Sequence, residues 1–565
     1  MKPSPELQQG LSTLQWGNCL WDRFHISILG KNSGVSRELW LFKDVQHVLT
    51  NNTGTDEVIC IMLNKPKERI FQLNGKSFSS MSNLMLLKLS NVDVSEGQIY
   101  FPNNLRFLKW HGFPLKTLPS NFLARNLFEL NLCGSQINYL WKGMKDFPKL
   151  KTIKLSYSHN LIETPDFTMV PNLEMLDLKG CTRLRKVHES IGVLNSLSVL
   201  NLEGCNSLQS FLSNVFSGLK SLKILNLQGC SKLDKFPENL EELEHLEELD
   251  VGGTAITQVP FSIARLTNLQ KLSFQKYNCG RLRSLPELPS NILSVEAEGC
   301  HSLEDISLGG CTSPTIGLHL INCPKLIQNQ GHREINLAVM LLKQRLQQWE
   351  SRVSQGCFIC IPGNEIPEWF SCRSDEDSVK IGLPPNWLND EFMGIAMCGV
   401  FTLDNEDLGS MNEYAQCSMD IIGNSYQFYS GPRRNTTFAS DHLWLVYASR
   451  EQFEHQRSLT LESARLPSHL RPREYDSTNS VLVSTSTCIH ARFDIAGSQF
   501  GYCKSKAVIK STGIRLIYKR DIECSEDDLP ATDAPILHQH HNCSTFYVGN
   551  TKVNNMDPIS SWFEE

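Results

Sequence analysis

The sequence predicts an α/β solenoid built on a curved parallel sheet and followed by an all-β sandwich, and three observations carry that expectation. A leucine motif recurs at near-constant spacing from Leu84 to Ala297. The segments after residue 355 alternate short apolar runs with turn residues. The composition, 41% hydrophobic and 20% charged over 565 residues, is that of a chain with enough apolar surface to build a core. A formal net charge of −6 argues against the basic stripe of a dedicated nucleic-acid binder.

The motif L-x-x-L-x-L stands at Leu84-Leu87-Leu89, Leu105-Leu108-Trp110, Leu127-Leu130-Leu132, Leu150-Ile153-Leu155 and Leu173-Leu176-Leu178. It continues at Leu197-Leu200-Leu202, Leu222-Leu225-Leu227, Leu246-Leu249-Val251 and Leu269-Leu272-Phe274, with a degenerate copy at Ile292-Val295-Ala297. Successive copies start 21 to 25 residues apart, the period of leucine-rich repeats. The segment TIGLHLINCPKL, 315 to 326, reads as a closing copy, giving about eleven repeats over 66–330.

A strand alternates faces with period two, so the last two apolar residues of each motif point inward and their neighbours point out. One repeat cannot bury its apolar face alone; stacked repeats share a core and expose a concave sheet face. That face is the candidate binding surface. Its outward residues include Lys88, Lys109, His111, Glu129, Asn131, Lys154, Met175, Asp177, Lys179, Asn201, Glu203, Asn226, Gln228, Glu248, Asp250, Lys271, Glu296 and Glu298. Cys181, Cys205, Cys230, Cys300 and Cys323 each follow the last apolar strand position by three residues, where such repeats settle the turn, so they read as structural. Leu118-Pro119, Phe236-Pro237, Val259-Pro260 and Leu285-Pro286 turn the chain away from the strands. The Glu- and Leu-rich run from Glu238 to Glu248 reads as the convex helix of one repeat entering the next strand.

On the flanks, 1–65 reads as a linker in which Leu41, Val45 and Leu49 mark an amphipathic helix ended by the turn at Gly54. Residues 331–354 hold one connecting amphipathic helix with Leu337, Met340, Leu341 and Leu346 on its apolar side. Residues 355–525 carry the strand-like runs of a sandwich, and 526–565 form a tail. The longest apolar stretch, Phe392 to Leu403, falls short of the roughly 20 residues of a membrane-spanning helix and reads as a core strand. The first twenty residues lack the basic start and apolar run of a secretory signal. No membrane span is therefore expected, the 19 cysteines are read as thiols, and the expected compartment is the cytoplasm, with the nucleus as a second one.

The linker helix, the repeats and above all IPGNEIPEWF, 361 to 370, together resemble the C-terminal portion of plant intracellular immune receptors of the TIR-type NLR (TIR-NBS-LRR) family. The decapeptide matches the opening of the jelly-roll/Ig-like (C-JID) domain that follows the repeats in that family, placing Pro362, Gly363, Glu365, Pro367, Trp369 and Phe370 in its motif. The resemblance implies a jelly-roll-like second domain and a role in defense signal transduction. It implies that the partner is a protein, either a pathogen effector or a guarded host protein. The family's nucleotide switch is not found: no G-x-x-x-x-G-K-[ST] occurs, and the stretch where the family carries Met-His-Asp reads WDRFHISILGKNSGV.

No catalytic chemistry emerges from the residues. Cys357 and Cys360 form a lone C-x-x-C without a second pair at zinc-ribbon spacing. The cluster His538, His540, His541 and Cys543 reads as a solvated loop. The expectation is therefore a non-enzyme with no cofactor and no metal, ADP or ATP belonging to a nucleotide-binding domain outside this sequence. Two further readings stand beside effector sensing: a truncated decoy or regulator partnering full-length receptors, and a repeat-based adaptor for ubiquitin transfer.

Overall fold

The computed structural model describes residues 38–523 apart from 40, 64–70, 91, 95–98, 211–214, 237–238, 276–279, 308–316, 329–336, 348–355, 404–412, 422–423, 430–440, 453–487 and 498–506. The tail and its histidine cluster lie outside the described residues. In chain order the solenoid strands are β1 (Glu38–Leu39), β2 (Cys60–Leu63), β3 (Phe71–Leu73), β4 (Leu86–Ser90), β5 (Val92–Val94), β6 (Phe107–His111), β7 (Glu129–Asn131), β8 (Thr152–Lys154) and β9 (Met175–Asp177). They continue as β10 (Val199–Asn201), β11 (Ile224–Asn226), β12 (Glu248–Asp250), β13 (Lys271–Ser273), β14 (Ser284–Leu285), β15 (Ser294–Glu296), β16 (Asp305–Ile306) and β17 (Gly317–His319). The second domain contributes β18 (Cys357–Pro362), β19 (Cys372–Ser374), β20 (Ser378–Gly382), β21 (Phe392–Leu403), β22 (Glu413–Ile421), β23 (Asn424–Tyr429), β24 (His442–Ser449), β25 (Cys488–Gly497) and β26 (Ala507–Tyr518).

The middle leucine of each motif lies in register with the next, Leu130 with Ile153, Leu176 with Leu200 and Leu225 with Leu249, and all are buried. That shared core holds the parallel sheet together; each fully buried aliphatic side chain contributes roughly 1.5–3 kcal/mol. Where repeats meet the far side of the solenoid, aromatic rings interlock. Phe101 packs edge-on against Phe122 at 5.2 Å, Trp110 against Phe113 at 5.2 Å, and Trp141 against Phe147 at 5.4 Å. At the ladder position Cys181, Cys205 and Cys230 each donate a thiol hydrogen bond, 3.3 Å long, to a carbonyl of the preceding repeat. Cys323 does so to Ala297 at 3.5 Å. Burial pushes the Cys181 and Cys230 thiols up to about 12, so they remain neutral donors.

Four features differ from the sequence expectation. The sheet starts inside the segment read as linker: β2 pairs in parallel with β4, and Val58-Ile61-Leu63 is a repeat motif whose β-branched first residues hide it from a leucine search. The far side carries single 3-10 turns at Glu189–Val193, Phe216–Gly218, Leu240–Glu242 and Phe261–Arg265 rather than α-helices, because repeats this short leave room for one turn only. The linker helix, α1 (Phe42–Asn51), buries Val45 and Leu49, but Leu41 caps it and stays exposed, and Asn52 rather than Gly54 ends it, at φ 54°. Near the junction lie α2 (Lys325–Gln328) and α3 (Leu337–Gln347); α3 buries Ala338, Val339 and Leu342 in addition to Leu337, Leu341 and Leu346, whereas Met340 is only half-buried.

The solenoid sheet does not stop at the last repeat. β17 pairs in parallel with β18, Leu318 opposite Ile359, and β18 pairs antiparallel with β24, followed by β21, β26 and β19. Among the described residues eighteen strands therefore form one sheet. A second sheet, in the order β20, β25, β22, β23, faces the C-terminal strands to close the sandwich. Its filling includes Trp444 against Phe493 at 5.6 Å, with Met397, Val379 and Ile514 buried around them. The apolar stretch Phe392–Leu403 is the central strand β21. A short α4 (Arg520–Glu523) ends the described chain.

Candidate functional site

The strand register sorts the outward residues of the sheet into three rows. The middle row runs Lys88, Lys109, Asn131, Lys154, Asp177, Asn201, Asn226, Asp250, Ser273, Glu296 and His319 across adjacent strands. A first row, two residues earlier, holds Phe107, Glu129, Thr152, Met175, Val199, Ile224, Glu248 and Lys271. A third, two residues later, holds His111, Lys179, Glu203, Gln228 and Glu298. All the outward residues expected from the motif spacing thus share one face.

Several of them also have work within the fold. In the middle row the side-chain oxygens of Asn131, Asp177, Asn201, Asn226 and Asp250 accept from the backbone N–H two residues on, at 3.4, 3.1, 3.0, 2.9 and 2.9 Å. These are Asx turns that end each strand where the chain leaves the sheet, which is why Asn and Asp recur there. Glu129 and Asn131 are buried, whereas Glu248 and His111 are exposed and Lys109, Lys154, Lys179, Asn201, Glu203, Asn226, Gln228 and Lys271 are partly so.

Charge on the face is unevenly paired. Lys179 Nζ lies 3.1 Å from Glu203 Oε2 and Lys271 Nζ 3.5 Å from Glu296 Oε2. Asp177 Oδ2 accepts from Ser156 Oγ at 2.7 Å, and Asp250 Oδ2 from Gln228 Nε2 at 3.3 Å. Burial pushes the Asp250 carboxyl up to about 6 despite the Gly252 N–H and Lys271. The Lys88 ammonium is held below its ordinary range by burial and by Lys109 directly opposite.

Two kinds of outward residue were absent from the expected set. Phe107, Thr152, Val199 and Ile224 complete the first row and give it an apolar middle with Met175; the same period-two alternation would have found them. Tyr157, 51% exposed, stands past the strand end where neighbouring repeats place glycine, a signal visible once the repeats are aligned.

The C-terminal motif is a corner of the sandwich. Pro362 ends β18 opposite His442, and the Gly363 N–H donates to Asp441 O at 3.0 Å. The Phe370 N–H donates to Pro367 O at 3.0 Å, turning the chain so that Ile366 and Phe370 bury against Gly513, where a Cβ would come within 2.6 Å of Ile366. Arg515 stacks its guanidinium 4.8 Å above the Trp369 ring, donates to Trp369 O at 2.6 Å and forks to Asp521 at 2.6 Å. Glu365 alone of the motif residues named is fully exposed. Cys357 and Cys360 are buried thiols of β18, not joined to each other. Among the described residues no three His, Cys, Asp or Glu side chains converge as metal ligands, and no helix is long and apolar enough to cross a membrane.

A stack of parallel repeats with an open polar face, continued into a β-sandwich, defines a leucine-rich-repeat protein with a C-terminal interaction domain, and neither part is of an enzymatic kind. Residues 184–307 match the leucine-rich repeat region family and residues 361–523 the C-JID domain family. Over these regions the chain is homologous to the C-terminal part of plant disease resistance proteins of the TIR-NBS-LRR type. It is 28% identical to disease resistance-like protein DSC1 of Arabidopsis thaliana, over 71% of this chain and 46% of that protein. It is 38% identical to disease resistance protein RPP2A of the same plant, over 45% of this chain and 20% of that protein. With TMV resistance protein N of Nicotiana glutinosa it shares 31% identity over 49% of this chain and 24% of that protein. The chain thus spans less than half the length of these relatives.

Proposed function

We propose that this chain is the protein-recognition part of an intracellular plant immune receptor, sensing a pathogen effector or a guarded host protein in the cytoplasm or nucleus. The carrying observation is the unbroken sheet from β4 through β17 into β18, which gives repeats and C-JID domain a common framework on which one ligand can rest. The homology to disease resistance proteins supports the defense setting. On this reading the chain acts by binding and needs no cofactor. The NAD and nucleotide chemistry of TIR-type receptors belongs to other domains, and ligand binding here biases those domains as differential affinity for two receptor states.

The test is surface plasmon resonance of the full chain against a panel of secreted pathogen proteins and host proteins. Any binder found is then measured against Lys109→Glu with Glu248→Lys on the open face and Glu244→Lys off it. Loss of binding only in the open-face variant supports the reading. Loss only in the Glu244→Lys variant, or saturable ATP or NAD binding by the chain, would overturn it.

A further inference from the structure

Among the described residues, nine repeats between Trp110 and Leu320 leave their strands through one residue in the left-handed region, two positions beyond the last inward side chain; the exit after Phe274, Lys276 in the sequence, lies outside them. Gly112, Gly134, Gly180, Gly204, Gly229, Gly253 and Gly299 fill that place at φ 66–74°, and Asn322 fills it in the last repeat at φ 55°. The departure is Tyr157, held at φ 61°. Glycine adopts this conformation freely and Asn tolerates it, but a ring-bearing side chain is strained there. Strain of this kind persists where the surrounding structure holds it, here through the Tyr157 N–H on Lys179 O at 2.6 Å, and it gathers at functional sites.

The ring's setting shows what that task requires. Tyr157 lies over Gly180, where a Cβ would come within 2.7 Å of its Cδ1, so the next repeat is kept bare beneath it. His159 meets it edge-on at 6.3 Å, and half of the tyrosine surface remains open. Tyrosine is among the residues that anchor protein interfaces, since its ring supplies much contact area for few rotors to freeze and its hydroxyl bonds at the edge.

A second observation lies on the same end of the face. Lys88 and Lys109 stand opposite each other on adjacent strands, and Lys154 follows beyond Asn131. Like charges directly opposite are unfavourable, and among the described residues no ion pair joins any of these three lysines. The other end of the face carries the exposed Glu248 and the half-buried Asp250, with Lys271 beside them held by the buried Glu296. A long polyanion such as nucleic acid, laid along the sheet, would run onto those carboxylates. A protein surface that carries negative charge only at one end would not.

Resting on the recognition reading above and narrowing it, we infer that Tyr157 is an aromatic anchor, and the Lys88–Lys109–Lys154 row the counter-charge, for a protein partner presenting a carboxylate-rich segment to this end of the face.

The experiment titrates the full chain into fluorescein-labelled decaglutamate at low salt and follows anisotropy, with thermal unfolding of every variant alongside. Saturable, salt-sensitive binding is expected. Tyr157→Gly should weaken it about tenfold or more while raising Tm, because glycine removes the backbone strain. Tyr157→Asn should do the same. Lys109→Glu combined with Lys154→Glu should abolish binding with little change in Tm. A lower Tm for Tyr157→Gly would overturn the inference, since the ring would then be a structural cover for Gly180. Equal binding of an oligothymidylate, or of neither probe, would overturn it too. Binding of decalysine instead, lost in Glu248→Lys, would overturn the inference and leave the open face standing as the recognition surface.

Discussion

The backbone N–H of Asn322, in the last turn of the solenoid, donates to His442 Nε2 of β24 at 3.0 Å, and the imidazole is fully buried. One hydrogen bond thus joins parts of the chain 120 residues apart, at the point where β17 hands the sheet to β18. The bond requires Nε2 to be an acceptor, so the ring is neutral with its proton on Nδ1. His442→Ala leaves a buried donor without a partner, which costs about 1–3 kcal/mol, plus the volume lost from the core. His442→Gln, whose Oε1 can take the same proton, should cost less. Urea unfolding of both variants checks the order; equal losses would mean that the hydrogen bond does not couple the two domains.

Asp250 gives the sheet a pH signature. Its folded carboxyl titrates near 6 against an ordinary value of 3.8, so the native state binds more protons than the unfolded chain between those values. Stability from this group therefore falls as pH rises from about 4 to about 6 and stays low above that. Asp250→Asn keeps the acceptor for the Gly252 N–H and removes the charge, so it should match the parent near pH 4 and exceed it by roughly 1–3 kcal/mol at pH 7. Thermal unfolding across that range measures the difference. A variant less stable at pH 7 than the parent would show that Lys271 offsets the desolvation of the carboxylate.

The ladder thiols should resist chemistry that reaches other cysteines. Cys181, Cys205 and Cys230 are buried, hydrogen-bonded and pushed towards the neutral form by burial, whereas Cys488 is exposed. Only the thiolate reacts, so iodoacetamide at pH 8 should label Cys488 first among the described cysteines and leave the ladder untouched until the repeats open. Mass spectrometry of peptides from native and urea-treated chain reads this directly. Labelling of Cys205 at the rate of Cys488 would mean the repeats are not closed in solution.

How much of this was legible in sequence follows from what repeats. The period of L-x-x-L-x-L fixed the solenoid because a middle leucine at every step forces parallel register, as Leu176 with Leu200 shows. The Cys ladder was readable for the same reason. Val58-Ile61-Leu63 was not, since Val and Ile serve the core as well as Leu does but break a leucine count. The outward set was found as positions, while the part some members play within the fold was not: Asn201 and Asn226 face outward, and their oxygens close Asx turns. Nothing local in sequence distinguishes a ligand-facing Asn from a turn-closing one. The continuity of β17 with β18 was equally invisible, because it joins Leu318 to Ile359 across a segment that lacks the repeat motif.

The corner of the C-terminal domain yields a last expectation, which separates its motif from the recognition surface. Trp369 sits under the Arg515 guanidinium, and the same side chain bonds Trp369 O and Asp521 Oδ1 through two different nitrogens. A lysine at 515 could neither fork to both acceptors nor stack as a plane on the indole. Arg515→Lys should therefore lower stability by about 1–3 kcal/mol, and Trp369→Ala by a similar amount. If the corner is only structural, their double mutant will fall short of the sum of the two, since the residues share one interaction. Any partner bound on the open face should keep its Kd in both single variants at temperatures where they stay folded. A drop in affinity without a drop in Tm would instead place Trp369 in the binding surface, and the decapeptide IPGNEIPEWF would then contact ligand rather than turn a corner.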